Sequence, residues 1–345
     1  MSKNKGPSIK QIAQELECSQ TTVSLILSGR GDEYGLSPDT QERVTAKAAE
    51  MGYNPAHNRK RRKTILIANP EHLSSVSRAG FVSDILDPMT MELTKSGWQV
   101  LLARFSKSDP FGVTPPLLLR ATVVVIPTCR DTASYANTLA KCVIEKGAIP
   151  LILGRYYPEL DAVFVDSDNA GATRQMAQHL FSLGHRKVAI MIGTPGDRHA
   201  EERLDSFREF FADAGFPLSE EMIWRDGDYS TIRGHKVMLE KIDEGLRPTA
   251  VFCINDAMAL GCLYALREKG ISVPEDMSIT GFDDEADMDK TLPPLTTLRI
   301  ETGDTGQKVA EYILDMDREQ SRRKIEIRCP ARLIVRESSS APPSL

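Results

Sequence analysis

Residues 247–287 read RPTAVFCINDAMALGCLYALREKGISVPEDMSITGFDDEAD, and this stretch decides the fold class of the chain. Two apolar runs, Ala250–Ile254 and Ser278–Phe282, flank the stretch Asp256–Lys269, in which apolar residues recur at helical spacing. Continuous apolar runs on either side of a helix are typical of neighbouring strands in a parallel sheet that is buried on both faces. The segment therefore predicts a strand–helix–strand unit of an α/β fold.

The same alternation continues on both sides of this unit. Further predicted strands are Ile65–Ala68, Val100–Ala103, Val123–Ile126, Pro150–Leu153, Ala162–Val165, Val188–Ile192, Met222–Arg225, Thr297–Ile300 and Leu333–Arg336. Predicted helices among them are Phe81–Ser96, Asn169–Leu183, Ala200–Ala214, Thr231–Glu244 and Thr305–Asp315. Because about 280 residues are too many for one small sheet, we expect two similar lobes with a cleft between them.

The composition of the chain excludes several classes of protein. The 345 residues are 41% hydrophobic and 26% charged, which is typical of a globular protein and excludes a fibrous or wholly disordered chain. No apolar run approaches the roughly 18 residues of a membrane span, so no membrane partner is expected. The polar start predicts the absence of a secretory signal, and six cysteines without C-x-x-C spacing favour reduced thiols. We therefore predict a cytoplasmic protein.

Charge divides the chain into a basic head and an acidic body. The net charge of the whole chain is -5, yet residues 1–64 contain eleven Lys+Arg and only seven Asp+Glu. The run Arg59-Lys60-Arg61-Arg62-Lys63 is the densest basic stretch. Such a run by itself is equally typical of a solvated linker. A basic module on an acidic body, however, favours binding of nucleic acid by the head alone.

The head has the pattern of three short helices. Ser8 begins a capping-box pattern, and Ser19 is placed to cap a second helix over Gln20–Leu27. Residues 37–38, Ser-Pro, are typical of the start of a third helix. Two short helices joined by a tight turn predict a helix-turn-helix, whose second helix enters the major groove of DNA. The alternative is a generic three-helix bundle with polar caps.

Two motifs of the head resemble the lactose-repressor (LacI) family of bacterial transcription regulators. They are SIKQIAQELECSQTTVSLILSG at 8–29 and ERVTAKAAEMGYNP at 42–55. The resemblance continues through HLFSLGHRKVAIMIG at 179–193, ERLDSFREFFADAG at 202–215, the 247–287 segment and PPLTTLRI at 293–300. It implies a two-lobed periplasmic-binding-protein-like core, with parallel sheets and helices on both faces, after an N-terminal all-α helix-turn-helix domain.

The resemblance also implies domain boundaries and DNA-binding residues. The domains would be a head over 1–53, a short basic hinge over 54–64, and an effector-binding core over 65–338. Lobe one would comprise 65–164 and 299–326, lobe two 165–298 and 327–338, with a tail over 339–345. The candidate DNA-binding residues are Ser8, Ser19, Gln20, Thr21, Thr22, Ser24, Leu25, Tyr53, Asn54, Arg59, Lys60, Arg61, Arg62 and Lys63.

The chain departs from the family pattern in three places. Leu25 stands where the family usually has an arginine, so base contacts would depend on Gln20 and Thr21. The loop over residues 30–36 is longer than usual. The hinge is about five residues shorter and has no leucine, so in place of the leucine wedge we expect either a basic tether that grips phosphates or an arginine that enters a narrow minor groove.

Polar residues at predicted strand ends are candidates for ligand binding, because ligands of such folds bind outside the carboxyl ends of strands. Helix N-capping is the structural alternative for Asp284 as well as for the candidates Asn255, Asp256 and Asp283. The resemblance implies that these residues, with Arg203 and Tyr229, bind an effector that is a sugar or a sugar derivative. The first-lobe candidates are Asn69, Glu71, Phe81 and Arg155.

Enzyme motifs are absent from the sequence. It contains no phosphate-binding G-x-x-x-x-G-K-[ST], no G-x-S-x-G, and no histidines clustered at metal-ligand spacing. We therefore predict no catalytic activity, no cofactor and no metal. The sequence favours a transcription repressor that binds double-stranded operator DNA as a homodimer and responds to a small carbohydrate. The alternative is a solute-binding protein that feeds a transporter.

Overall fold

A computed structural model describes residues 7–27, 31–51, 53, 63–70, 79–105, 121–128, 133–194, 196–319 and 324–343. They form a helical head and a core built on two parallel sheets, so the predicted fold class is confirmed. Within these ranges, no helix combines the length and the apolar character that crossing a lipid bilayer requires.

The head packs three short helices around a small apolar centre. They are α1 (Ile9–Glu15), α2 (Gln20–Leu27) and α3 (Pro38–Glu50). The capping box is present, because the Ser8 N–H donates to Gln11 Oε1 over 2.7 Å and Ser8 Oγ accepts from the Gln11 N–H. The buried centre comprises Ile12, Ala13, Val23, Ile26, Val44 and Ala48. These residues recur at helical spacing, which is why the sequence predicted the three helices.

The first lobe is built on a sheet whose six described strands are all parallel. In sheet order they are β11 (Ile325–Cys329), β5 (Val163–Ser167), β4 (Ile149–Leu153), β3 (Val123–Pro127), β1 (Thr64–Pro70) and β2 (Gln99–Phe105). The flanking helices are α4 (Ala79–Lys95), α5 (Ala133–Glu145) and α10 (Thr305–Glu319). Separate apolar clusters lie on the two faces of this sheet, as expected when helices cover both.

The second lobe has the same architecture as the first, with four described strands that are all parallel. Their order is β7 (Ile223–Trp224), β6 (Val188–Met191), β8 (Ala250–Cys253) and β9 (Ser278–Thr280). The helices are α6 (Asn169–Ser182), α7 (Arg198–Asp213), α8 (Thr231–Asp243) and α9 (Asp256–Glu268). One large cluster of buried residues holds this lobe together. The 247–287 segment forms the predicted strand–helix–strand unit.

Strands β10 (Thr297–Ile300) and β12 (Ala331–Ile334) pair antiparallel and connect the lobes. β10 leads into α10, which packs on α4 of the first lobe. β12 follows first-sheet strand β11, and the chain beyond it returns to the second lobe, where the Ile279 N–H donates to the Ser338 carbonyl. The two strands therefore carry two of the crossings between lobes, and the third leads from β5 to α6.

The structure differs from several predicted bounds. The predicted crossing near Ile327–Cys329 falls inside β11, so the first-lobe segment predicted to end at residue 326 continues to Cys329. β5 likewise continues to Ser167, past the predicted boundary at 164–165. The predicted strand Leu333–Arg336 lies earlier, at β12, and Met222–Arg225 shortens to β7. β11 was not predicted, because its exposed Glu326 and Arg328 interrupt the apolar run that identified the other strands.

Candidate DNA-binding surface and ligand cleft

The candidate DNA-binding residues at the start of α2 have two different placements: one caps the helix, and others are exposed to solvent. Ser19 Oγ accepts from the Thr22 N–H over 2.9 Å, and the two hydroxyls lie 2.9 Å apart. Ser19 therefore caps the helix. Gln20, Thr21 and Ser24 are exposed, whereas Val23 and Ile26 on the opposite side are buried. The exposed group is available to a DNA groove.

The remaining head candidates have mixed placements. Ser8 caps α1, Leu25 is half-buried, and the Tyr53 N–H donates to the Ala48 carbonyl over 2.7 Å. Lys63 is exposed, and its ammonium donates to the Ser96 carbonyl over 3.3 Å. The other hinge candidates, Asn54, Arg59, Lys60, Arg61 and Arg62, lie outside the described residues.

The long loop before α3 is held by one glutamine. Gln41 Nε2 donates to Asp32 Oδ1 over 2.9 Å and to the Leu36 carbonyl over 2.8 Å. The loop between these two contacts begins with a short 3-10 turn, Asp32–Tyr34. The part of this loop that the structure describes is therefore folded against the head.

Arg203, on α7, is fixed at the carboxyl ends of the second-lobe strands. Its side chain is 3% exposed, and its Nε donates to Asn169 Oδ1 over 2.8 Å. A terminal nitrogen donates to the Ile254 carbonyl, and the guanidinium lies 3.4 Å from the centre of the Phe282 ring. Its other terminal nitrogen is 3.9 Å from Asp283 Oδ1. This setting brings two predicted effector residues, Arg203 and Asp283, together.

Tyr229 is held beside the same site. Its backbone has a φ of 68°, and its ring lies so close to Gly193 that a Cβ at that position would collide with the ring. Asn255 Nδ2 donates to the Tyr229 carbonyl over 3.0 Å, while Asn255 Oδ1 accepts from the Met258 N–H and caps α9. Asn255 thus has the capping role that was the structural alternative, and it also orients the Tyr229 backbone.

Asp256 does not face the cleft. It is fully buried, with Oδ1 accepting from the Thr297 hydroxyl over 2.6 Å and Oδ2 accepting from the Glu285 N–H over 2.8 Å. Burial, with the nearby charge of Asp283, raises the pKa of this carboxyl well above its usual value. Because both oxygens are engaged within the protein, this placement corrects the expected direct contact between Asp256 and an effector.

Asp283 lies in a backbone turn of unusual geometry. Its φ is 112° and that of Asp284 is 52°, and the Asp283 N–H donates to the Leu298 carbonyl of β10 over 2.8 Å. Burial and the charge of Asp283 raise the pKa of neighbouring Glu285 to about 7. The sequence motifs did not identify Glu285, although its position directly after the Asp283-Asp284 pair is a signal that could have done so.

The structure says less about the four candidate ligand-binding residues of the first lobe than about those of the second. Arg155 follows β4 and is half-buried, and Phe81 packs partly buried against the first-lobe core. The side chain of Asn69 and all of Glu71 lie outside the described residues. Arg155 therefore lies just beyond the carboxyl end of β4, and the backbone of Asn69 lies at the carboxyl end of β1.

Residues that the sequence motifs did not identify join the lobes beside this site. Asp166 Oδ2, on β5, lies 2.8 Å from His199 Nε2 on α7, and Arg198 donates to the Tyr156 carbonyl over 2.8 Å. Burial opposes ionisation of Asp197, but His199, the Tyr229 hydroxyl and Arg155 together lower the pKa of its carboxyl. The His199 imidazole therefore lies between two carboxylates, with Nε2 2.8 Å from Asp166 and Nδ1 4.0 Å from Asp197. No group of metal ligands occurs among the residues that the structure describes.

Comparisons with known proteins agree with this geometry. Residues 177–339 match the model of the periplasmic binding protein-like domain. The HTH-type transcriptional regulator CelR of Thermobifida fusca is 27% identical over 98% of this chain and 100% of its own length. DegA of Bacillus subtilis, another HTH-type transcriptional regulator, is 29% identical over 96% of this chain and 98% of its own. A solved transcriptional regulator CelR–cellobiose complex, 27% identical, covers 96% of this chain and 99% of that chain with a TM-score of 0.69.

Proposed function

We propose that this chain is a homodimeric repressor of the LacI type whose operator affinity is controlled by a sugar, because it is similar over nearly its whole length to HTH-type transcriptional regulators. The observation that carries this proposal is the presence of both required surfaces in one chain. The head exposes Gln20, Thr21 and Ser24 on α2, and the core brings Arg203 and Asp283 within 3.9 Å of each other, with Tyr229 held nearby by Asn255. A solute-binding protein would need only the second surface.

The DNA surface follows from the exposed residues of α2. A glutamine amide pairs with adenine through two hydrogen bonds, and a threonine offers a hydroxyl or a methyl group to a base edge. Gln20 and Thr21 supply these groups, and Ser24 is placed to bind a phosphate. Basic residues in the hinge would add contacts that do not depend on sequence.

The cleft chemistry suits a neutral sugar. Arg203 supplies a fixed guanidinium, Asp283 accepts hydrogen bonds from hydroxyls, and Tyr229 offers an aromatic face for a pyranose ring. The solved CelR relative is a complex with cellobiose, which supports a sugar as the effector class and makes cellobiose the first compound to test.

A homodimer is supported by apolar side chains exposed on the first lobe. Val100 and Leu102 are 37% and 65% exposed on β2, which is an edge strand of the described sheet, and Met91 is 57% exposed on α4. A second copy would cover them. Two heads would then read two half-sites, and a ligand that prefers one lobe arrangement would change their joint affinity.

Binding of promoter fragments from either side of the protein's own gene tests the proposal. Fluorescence anisotropy compares the full chain with residues 65–345, with and without cellobiose or members of a sugar panel. We expect only the full chain to bind one fragment specifically, and one sugar to change that affinity. Sugar binding without any DNA binding at low salt would support the solute-binding alternative instead. A reporter fused to the bound promoter then distinguishes repression from activation.

A further inference from the structure

We propose that Asp284 and Asp256 are positioning residues that connect the ligand cleft to β10 and β12, the strands that join the lobes. This inference rests on the proposed function, because it concerns how a sugar at the cleft alters the heads. Neither residue would contact the sugar. Both would fix the loop over residues 281–285 to the crossing strands, so that cleft and crossings move as one unit.

Asp284 makes the first connection. Its side chain is 4% exposed, and Oδ2 accepts from Arg299 Nε over 2.6 Å. Its Oδ1 lies 2.8 Å from a terminal nitrogen of Arg336. Arg299 lies on β10, and Arg336 lies two residues beyond β12. One buried carboxylate therefore joins the loop to both crossing segments.

The adjacent side chains of Asp283 and Asp284 contact different parts of the molecule. Asp283 Oδ1 lies 3.9 Å from Arg203 in the cleft, whereas the next carboxylate, that of Asp284, pairs with the crossing strands. The Asp283 backbone also donates to the Leu298 carbonyl of β10. Both residues have positive φ angles, a strained backbone conformation that persists only where the surrounding contacts hold it in place.

Asp256 makes the second connection. Its Oδ1 accepts from the hydroxyl of Thr297 on β10, and its own N–H donates to the Phe282 carbonyl. It directly follows Asn255, which holds the Tyr229 backbone. Gly281 leaves the space for this carboxylate, because a Cβ at that position would collide with Asp256 Oδ1. A path of direct contacts thus leads from β10 to Tyr229.

A contiguous path of contacts shows only that the residues are neighbours. Coupling between the ligand cleft and the crossing strands requires that a change in one alters the other. Removing the Asp284 charge would leave two arginines beside a partly buried site without their carboxylate. Losing one partner of a buried ion pair is strongly unfavourable. The loop and the crossing strands would then separate more easily, and the effect would spread through Asp256 to the start of α9.

Hydrogen–deuterium exchange of the full chain tests this without any ligand. We expect Asp284→Asn to speed exchange about tenfold at 297–300 and 331–336, and also at 255–262. Asp287→Asn is the matched control, because Asp287 lies only three residues further along the chain, is exposed, and forms its ion pair with the exposed Lys290. It should change exchange only around 285–291. Unchanged exchange at 255–262 in Asp284→Asn would overturn the proposal.

Operator binding distinguishes coupling from local destabilisation. Without sugar, Asp284→Asn should change operator affinity by about threefold or more, Asp287→Asn should not, and Asp284→Glu should restore part of the difference. Faster exchange with wild-type operator affinity would make Asp284 merely structural and would overturn its positioning role. If Asp284→Asn fails to fold, Arg299→Gln removes the same ion pair from the other side. A wild-type chain that binds no operator would refute the proposed function, while the exchange experiment would still decide this inference.

Discussion

Asp166 and His199 join the two lobes, with the carboxylate Oδ2 2.8 Å from the imidazole Nε2. Asp166 belongs to β5 in the first sheet, and His199 lies in the first turn of α7 in the second lobe. Both side chains are at least nine-tenths buried. Since Arg203 lies one turn further along α7, the helix that holds the candidate effector residue also holds the lobes together.

His199→Ala should lower the free energy of unfolding by about 1–3 kcal/mol, because it leaves the Asp166 carboxylate buried without this partner. Urea denaturation of the full chain measures this change. The matched control is His235→Ala, which removes a half-exposed imidazole that lies 2.9 Å from Glu268, and which should cost less than about 1 kcal/mol. Equal losses in the two variants would contradict a special role for the interlobe pair.

Glu285→Gln should flatten the pH dependence of stability. The pKa of Glu285 rises from 4.5 to about 7 in the folded protein, so the folded state holds a proton that the unfolded state has released. Stability contributed by this group is therefore lost as the pH rises from about 4.5 to about 7. The variant should lose part of this slope, and Asp256 should retain the rest because its pKa is also raised.

Thermal unfolding between pH 5 and pH 8 measures that slope. Glu275→Gln removes an exposed carboxylate of the same lobe and serves as the control, with the wild-type pH profile expected. A Glu285→Gln profile parallel to that of the wild type would show that the Glu285 carboxyl does not titrate differently on folding.

Ser338→Ala should destabilise the second lobe by about 1–3 kcal/mol. The fully buried Ser338 hydroxyl donates to the Ile279 carbonyl over 2.6 Å and accepts from the Thr296 N–H over 2.8 Å. Alanine would leave both backbone groups buried without this partner. Ser340→Ala is the control, because that hydroxyl donates to the carbonyl of its exposed neighbour Ala341. Chemical denaturation should separate the two variants, and equal midpoints would refute the argument.

Gln20→Ala should weaken operator binding by about 1–3 kcal/mol and relax base preference at one position of each half-site. Gln20 is exposed at the start of α2, whereas Gln14 is an exposed glutamine on α1. Gln14→Ala therefore controls for the loss of an amide from the head. Anisotropy titrations against single-base variants of the operator measure both effects. Identical preferences in Gln20→Ala and wild type would exclude Gln20 from base contact.

Replacing residues 59–63, Arg-Lys-Arg-Arg-Lys, with glutamine should reduce the salt dependence of DNA binding. The slope of log affinity against log salt becomes shallower by about 0.9 for each phosphate that the protein no longer neutralises. The control replaces exposed Lys236 and Lys290 in the second lobe, where no DNA contact is expected. An unchanged slope in the hinge variant would refute the basic tether.

The sequence predicted elements more reliably than it predicted which side chains meet. α2 lies at the predicted Gln20–Leu27, and the Ser8 capping box is present, because each depends on residues a few positions apart. β11 was missed because it pairs with a strand far away in sequence and carries exposed charges. At the candidate ligand site, too, the sequence identified residues without showing what each side chain contacts. Arg203, Asp283 and Asp256 were all predicted to contact an effector; the first two lie 3.9 Å apart, and their contact with an effector stays a prediction, whereas Asp256 is buried.

The amino-acid sequence by itself determined the helical head, the strand–helix alternation and the resemblance to a family, since these reside in local periodicity and in contiguous motifs. Only the tertiary structure decided the partners of the buried charged groups. Asp166 meets His199 across 33 positions of chain, and Asp256 meets Thr297 across 41. The physical reason is that the role of a carboxylate depends on its burial and its neighbours, and both are set when distant segments pack together.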